Sequence, residues 1–461
     1  MATESREGTG FAASRSDRVS LRAVARNAGY LVGSQGTARL VRFVYLAVLA
    51  RALGPELLGL LVYSQAWYLM FLPITSIGTR ALMARALGAS LAQGAEVANA
   101  VLALRLLVLP FVVAACLGIG TLLEPHPTAR ALLWIGSVAL AARGIVVWTM
   151  QVFIGSERGG HALRQDMVFR PLEMILGLLV LAGGGGVIGV AVVHAVVWGI
   201  QAAAGLRLVG RLLPVRPRWD VAGMPAMLRT AATMVPVAFA GAWFLQGPIS
   251  LVRHWGTDGC SLGCFGVNMQ VLQLVAGIPA AIAAGALPVL SRAGMSSGGP
   301  DSRYLRRVIP IAIGGAAVCA SAGQLAGPWL VPLVLGPGYR DAGAWLGTML
   351  TLLIPFGVAL LYSEALLAVG CDRVAAIAAL TASVLLIVLA GWLHGSRGGA
   401  GVVLAAGIGA GVWALMNVAR AAGVALDRRW HVGAVSCAFV LFVAAFLLFE
   451  RLAVQRLAAG G

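Results

Sequence analysis

Four arginines lie where arginine is costly. At about 1.5 Å of rise per residue, Arg39 and Arg42 fall about 15–20 Å into the first long apolar stretch of the chain. By the same measure Arg105 lies about 12 Å into the third stretch and Arg143 about 18 Å into the fourth. A guanidinium at that depth in hydrocarbon costs at least about 2.5–3.5 kcal/mol and keeps its proton, so it needs a partner or a water-filled cavity. No carboxylate lies in the first four stretches to neutralise it. Arg39 and Arg42 are three residues apart and share one helix face. The planar fork of a guanidinium bonds two oxygens of a phosphate-type anion at once. The four residues therefore predict a cationic cavity for an anionic group. The alternative for any one of them is to snorkel or to bond backbone carbonyls.

The second half of the chain carries neutral polar groups in its apolar stretches, among them Gln246, Asn268, Gln270 and Gln273. Amides of this kind bond sugar hydroxyls, and they also join helices inside a membrane. Gln246, Asn268 and Gln270 are taken as polar cavity lining. Glu173 follows Arg170 by three residues, which predicts a local ion pair. Glu364 has no cation nearer in sequence than Arg373, which makes it the candidate for ion coupling. His194 stands alone in the sixth stretch and reads as a satisfied helix contact.

Several chemistries are excluded. A phosphate loop of the Gly-x-x-x-x-Gly-Lys type needs lysine, and all 34 basic residues are arginine. The loops hold no paired carboxylates and no metal-ligand cluster, so neither cofactor nor metal is expected. No segment outside the apolar stretches is large enough for a catalytic domain, and the chain does not read as an enzyme. The six cysteines do not form a disulfide framework; Cys260 and Cys264 share one loop and read as small turn residues.

The elements that position these residues are membrane helices. The chain is 60% hydrophobic and 11% charged, with a mean hydropathy of +0.90, whereas soluble domains are about 25% charged. Thirteen stretches are long enough to span a bilayer: 29–50, 57–79, 97–120, 131–154, 168–186, 187–209, 231–252, 264–290, 307–332, 343–369, 374–393, 400–425 and 432–449. With the N-terminus inside, the inner segments hold 23 arginines and the outer ones seven. The net charge of +17 is thus topology rather than a nucleic-acid footprint. The polar, arginine-rich residues 1–28 read as a cytoplasmic tail.

The chain also repeats itself. Arg51-Ala52-Leu53-Gly54-Pro55-Glu56, followed by Gly59 and closed by Arg85, recurs as Arg253-His254-Trp255-Gly256-Thr257-Asp258, followed by Gly263 and closed by Arg292. The offset is 204 residues from Gly59 to Gly263 and 207 from Arg85 to Arg292. Six spans per copy make this a parallel repeat about an axis normal to the membrane. The expected organisation is a tail at 1–28, a lobe of six spans at 29–210 and a basic cytoplasmic linker at 211–229. A second lobe of six spans at 230–426 and an extra span with a tail at 427–461 complete it.

Ala50-Arg51-Ala52-Leu53-Gly54-Pro55-Glu56-Leu57-Leu58-Gly59 resembles the first loop of bacterial polysaccharide flippases. These are the Wzx-type O-antigen transporters of the multidrug/oligosaccharidyl-lipid/polysaccharide (MOP) exporter superfamily. Leu335-Gly336-Pro337-Gly338-Tyr339 resembles the second-half Gly-x-x-Tyr/Phe turn of that family. Family members are described with twelve or fourteen spans, and the thirteen counted here depart from that. The resemblance implies an all-α, V-shaped, two-bundle protein of the bacterial inner membrane. It would move undecaprenyl-pyrophosphate-linked oligosaccharide outward by alternating access, with membrane lipid and other membrane proteins of polysaccharide assembly as neighbours. Neither nucleic acid nor nucleotide is an expected partner.

Two other readings stay open. A drug/cation antiporter of the same superfamily would need carboxylates in its cavity. A polytopic glycosyltransferase or polymerase would need a large outer loop with carboxylates or metal ligands. The arginine asymmetry makes a direct prediction: single cysteines at Arg216 and in the Tyr339 turn should label from opposite sides with an impermeant thiol reagent. Equal external labelling at both would overturn the six-plus-six topology.

Overall fold

The chain forms helices throughout. The structure, a computed structural model, describes residues 13–219, 223–255, 262–277, 302–421 and 428–460, with side chains from Val41 onward. Among the described residues there is no strand. The first lobe comprises α1 (Ala13–Ser76), α2 (Arg80–Ala89), α3 (Leu91–Leu123), α4 (Pro127–Gly155), α5 (Gly159–Ala182) and α6 (Gly186–Gly210). The second comprises α7 (Met224–His254), α8 (Leu262–Gly277), α9 (Ser302–Leu335), α10 (Arg340–Leu350), α11 (Leu353–Ala368), α12 (Asp372–Ala421) and α13 (Arg428–Gly460). A 3₁₀ turn at Pro337–Tyr339 links α9 to α10.

Two of these helices are hairpins. In α1 the helical backbone breaks at Gly54 (φ 72°), where glycine takes the left-handed conformation without a Cβ penalty. Pro55 follows, with φ preset for a new helical start. Arg42 and Gln65 are 23 residues apart, which is about 35 Å along a straight helix. Yet Arg42 Nη2 donates to Gln65 Oε1 at 3.3 Å, so the two arms lie side by side. In α12 the break is Gly398 (φ 53°), and Gly409 returns to lie against the carbonyl of Ala382. These hairpins carry the expected pairs of spans 29–50/57–79 and 374–393/400–425.

Elsewhere the structure modifies the sequence reading. The expected loop after the second span contains the short helix α2. The expected span 343–369 is two helices bent by 43°. The cause is local: Thr351 Oγ1 donates to the Thr348 carbonyl at 2.6 Å and Leu352 N to Met349 O at 3.2 Å, tightening one turn. The fifth helix starts at Gly159, well before position 168, and is separated from α6 by Gly183–Gly185, with Gly184 at φ 82°. Of the expected span 264–290, residues beyond Gly277 lie outside the described residues, as do Cys260 and Arg292. Cys264 is buried, with its Sγ 4.0 Å from the Gly338 carbonyl oxygen. Eight helices, or nine with the bent pair, are long and apolar enough to cross a membrane among the described residues, each hairpin counted once.

Within the first lobe, α1 packs against α3, α4, α5 and α6, and α4 against α6. Within the second, α9 packs on α10, α7 on α12, and α13 covers α10, α11 and α12. The lobes meet where α1 touches α7, α9 and the 3₁₀ turn.

Small residues set the closest helix approach. A Cβ on Gly343 would lie 2.6 Å from the carbonyl oxygen of Gly327, and one on Gly327 would lie 2.5 Å from that of Gly343. Backbone cannot yield to such a contact as a flexible side-chain tip can. Gly343→Ala should therefore lower the thermal stability of detergent-purified protein, at a cost of about 1–3 kcal/mol. Gly314→Ala, which meets nothing within 4 Å, should be neutral or slightly stabilising. Equal melting temperatures for Gly343→Ala and wild type would refute the backbone contact.

Candidate functional site: a cationic cavity

A cavity of about 330 Å³ opens between the arms of α1 and helices α4, α5, α6 and α8. The first arm of α1 supplies Arg42 and Tyr45, and the returning arm supplies Gln65. The same i, i+3/i+4 logic repeats on the other walls. Helix α5 presents Asp166, Arg170 and Glu173, and α6 presents His194 and Trp198 one turn apart. Arg143 enters from α4 and Gln270 from α8, so both lobes reach the cavity.

Three guanidiniums face this space against two carboxylates. Glu173 is engaged on both oxygens: Arg170 Nη1 donates to one and His194 Nδ1 pairs with the other. Arg170 Nη2 also donates to Gln201 Oε1. His194 Nε2 pairs with the Tyr68 hydroxyl at 2.8 Å, and that hydroxyl accepts from Arg143 Nη1 at 3.0 Å. One polar chain thus runs from Arg143 through Tyr68, His194 and Glu173 to Arg170. Trp198 lies under both of its cationic ends, with Arg143 4.2 Å and Arg170 3.9 Å from ring centroids. The negative face of the indole offsets part of the repulsion between like charges held close together. Neither Arg42 nor Arg143 forms an ion pair among the described residues.

The residues singled out from sequence separate clearly. Arg42 and Arg143 line the cavity. Arg39 is on the same arm of α1, but its side chain lies outside the described residues. Arg105 is fully buried away from the cavity, donating to Gly144 O at 2.7 Å, Gln151 Oε1 at 3.2 Å and Ser76 O at 3.4 Å. Ser76 ends α1, and its carbonyl also accepts from the backbone N–H and hydroxyl of Thr79, so Arg105 joins α4 to an already capped end of α1.

Among the amides, Gln270 lines the cavity. Gln246 and Gln273 bond each other reciprocally at 3.1 and 3.2 Å, and Asn268 donates to Ala342 O at 2.8 Å; both serve as joints between helices. Glu364 sits on α11 away from the cavity, within Coulombic reach of Arg80 at the start of α2.

The sequence reading missed Arg170, Tyr68, Trp198 and the cavity-facing role of His194. The expected Arg170–Glu173 ion pair is present, but it belongs to the cavity wall. The signal was the four-residue spacing of His194 and Trp198 with Gln201 three further on, which places all three on one face of α6.

Comparison with known proteins is consistent with this architecture. Residues 24–293, more than half of the chain, match the family model described as "Polysaccharide biosynthesis protein". No curated relative matches. Among solved structures, the lipid II flippase MurJ in an inward closed conformation superposes with a TM-score of 0.68 at 13% identity, covering 93% of this chain and 99% of that one. An inward-facing multidrug resistance MATE family transporter of the MOP superfamily gives 0.66 at 16% identity, covering 84% and 95%. The eukaryotic MATE transporter AtDTX14 gives 0.61 at 14% identity, covering 92% and 99%. At such identities the likeness is one of fold. The chain belongs to the polysaccharide biosynthesis protein family, and its fold is that of the MurJ and MATE structures.

Proposed function

We propose that the protein is a flippase that moves undecaprenyl-pyrophosphate-linked oligosaccharide across the bacterial inner membrane for surface polysaccharide assembly. The observation that carries this reading is the cavity in which Arg42, Arg143 and Arg170 converge and, among the described residues, the first two form no ion pair. Family membership and the fold shared with a lipid II flippase support it. The pyrophosphate would sit against the guanidiniums, with Gln270 and Gln65 within the same wall to bond sugar hydroxyls. The prenyl tail stays in lipid, where each buried methylene is stabilised by about 0.8 kcal/mol.

The arginine distribution orients the protein with its N-terminus and the 211–229 linker in the cytoplasm. An inside-negative potential then favours outward movement of an anion by about 2.3 kcal/mol per charge per 100 mV. The antiporter reading is less well supported, because the two cavity carboxylates are outnumbered by guanidiniums and Glu173 is already engaged by Arg170 and His194. Glu364 is retained as the candidate for ion coupling. Glu364→Gln should abolish stimulation by a proton or sodium gradient while leaving anion binding intact, and full gradient dependence in that variant would remove Glu364 from the mechanism.

Binding of inorganic pyrophosphate to purified protein tests the site. Hydrogen bonds to charged groups contribute about 1.5–3 kcal/mol, which is roughly 10- to 100-fold in affinity. Affinity should fall in the order Arg > Lys > Ala at positions 42 and 143, because lysine keeps the charge but loses the fork. Trp198→Phe should bind nearly as wild type. Trp198→Leu should weaken binding several-fold although no charge is removed. Complementation of surface polysaccharide should follow the same order, with membrane protein levels unchanged. Wild-type export by a folded Arg42→Ala/Arg143→Ala protein would refute the cationic site.

A further inference from the structure

The opening segment of the repeated sequence, at Arg51 and Arg253, is not part of the cavity. It lies where the lobes meet. Arg51 and Arg253 occupy the same place in the two copies, three residues before Gly54 and Gly256. Each crosses to the opposite lobe. Arg253 of α7 forms a two-pronged bond with Glu124, Nε to Oε2 at 3.0 Å and Nη2 to Oε1 at 2.8 Å. Glu124 is the C-cap of α3, the helix of the third span in the first lobe. Arg51 of α1 donates from Nε to Val334 O at 2.8 Å and from Nη2 to Leu333 O. These carbonyls end α9, the helix of the third span in the second lobe.

The exchange is therefore two-fold. Each repeat sends an arginine to the negative end of the other repeat's third helix, where free carbonyls and the macrodipole favour a cation. Around the two clamps the backbones close up: a Cβ on Gly263 would lie 2.0 Å from the Pro55 oxygen. The Tyr339 hydroxyl donates to Ala50 O at 3.5 Å. All these segments belong to loops and helix ends on the arginine-poor, outer side of the sequence topology.

We propose that Arg51 and Arg253 form a pseudo-symmetric latch that closes the outer face, and that the cavity opens outward only when both arginines leave the helix ends they hold. The latch does not depend on what the cavity carries. The clamps are unequal. Glu124 is 1% exposed and joined by two charge-assisted bonds, whereas Arg51 is exposed and holds neutral carbonyls. Release of Arg253 is thus the harder step.

The pair also resists acid. Burial alone would push the Glu124 carboxyl up, but bonds from Arg253 and the His126 N–H, with the charge of Arg253 and the proximity of His254, hold it below its ordinary value. Arg130 donates to the Glu124 carbonyl, and Tyr63 of α1 faces the pair from the remaining side. A carboxylate with a lowered pKa keeps its contribution until the pH falls through that lowered value. The latch should therefore hold throughout the range above about pH 4.3, the ordinary glutamate value.

Accessibility of the cavity from outside tests this without any transport assay. In a cysteine-free background, Gln65→Cys should be protected from an impermeant maleimide in intact cells at pH 5.5 and at pH 7.5, after correction for thiol reactivity on a surface-cysteine control. Arg253→Glu or Glu124→Arg should raise the labelling rate by tenfold or more. The combined Arg253→Glu/Glu124→Arg exchange should restore protection. If either single reversal fails to accumulate, the milder Arg253→Lys and the exposed Arg51→Ala should each raise labelling a few-fold. Unchanged labelling in both mild variants, or an exchanged pair no more protected than the single reversals, would overturn the latch.

Discussion

Arginine does not give up its charge inside a membrane, and the architecture of this protein follows from where that charge is accommodated. A lysine could lose its proton at such depth; a guanidinium keeps it and must be supplied with oxygen or π density. The chain answers in four ways. Arg105 takes two backbone carbonyls and an amide oxygen, Arg143 takes the Tyr68 hydroxyl and the indole of Trp198, and Arg170 takes the Glu173 carboxylate, the Gln201 amide and the same indole. Arg42 bonds the amide of Gln65 and faces the cavity. The first and third solutions fasten helices; the second and fourth leave positive potential facing a cavity.

Tertiary bonds of this kind matter more here than in a soluble protein, because lipid removes much of the hydrophobic drive for helices to associate. Glycine packing brings α9 and α10 into backbone contact, and polar joints such as Gln246–Gln273 and Asn268–Ala342 fix the second lobe. The interface between lobes is built differently. It joins an apolar contact of α1 with α7 and α8 to charge at helix ends, which is directional and separable.

Much of the fold was legible in the sequence because hydropathy and the alternation of arginine record the membrane directly. The hairpin breaks were visible as Gly54-Pro55 and as the glycines around 398. Helix α2 was not, since a ten-residue helix bearing two arginines has no membrane-length signature. The site was half legible. Depth along a span identifies an expensive charge, so Arg42 and Arg143 could be named. Depth does not tell which way a charge faces, and Arg105, equally deep, turns to carbonyls that only the assembled lobe supplies. Arg170 was hidden for the opposite reason: it lies at the start of the expected span 168–186, where arginine is ordinary, and only packing of α5 against α1 and α6 brings it into the cavity.

The contact between Gly263 and Pro55 has a further meaning for the cell. Where a Cβ would fall 2.0 Å from a carbonyl oxygen, main chain meets main chain and no file of water fits between them. A cavity open to both sides at once would be a conduit for protons and small ions down the membrane potential. In the latch proposed above, the bare backbone of one glycine would serve as electrical insulation between the cavity and the outer face.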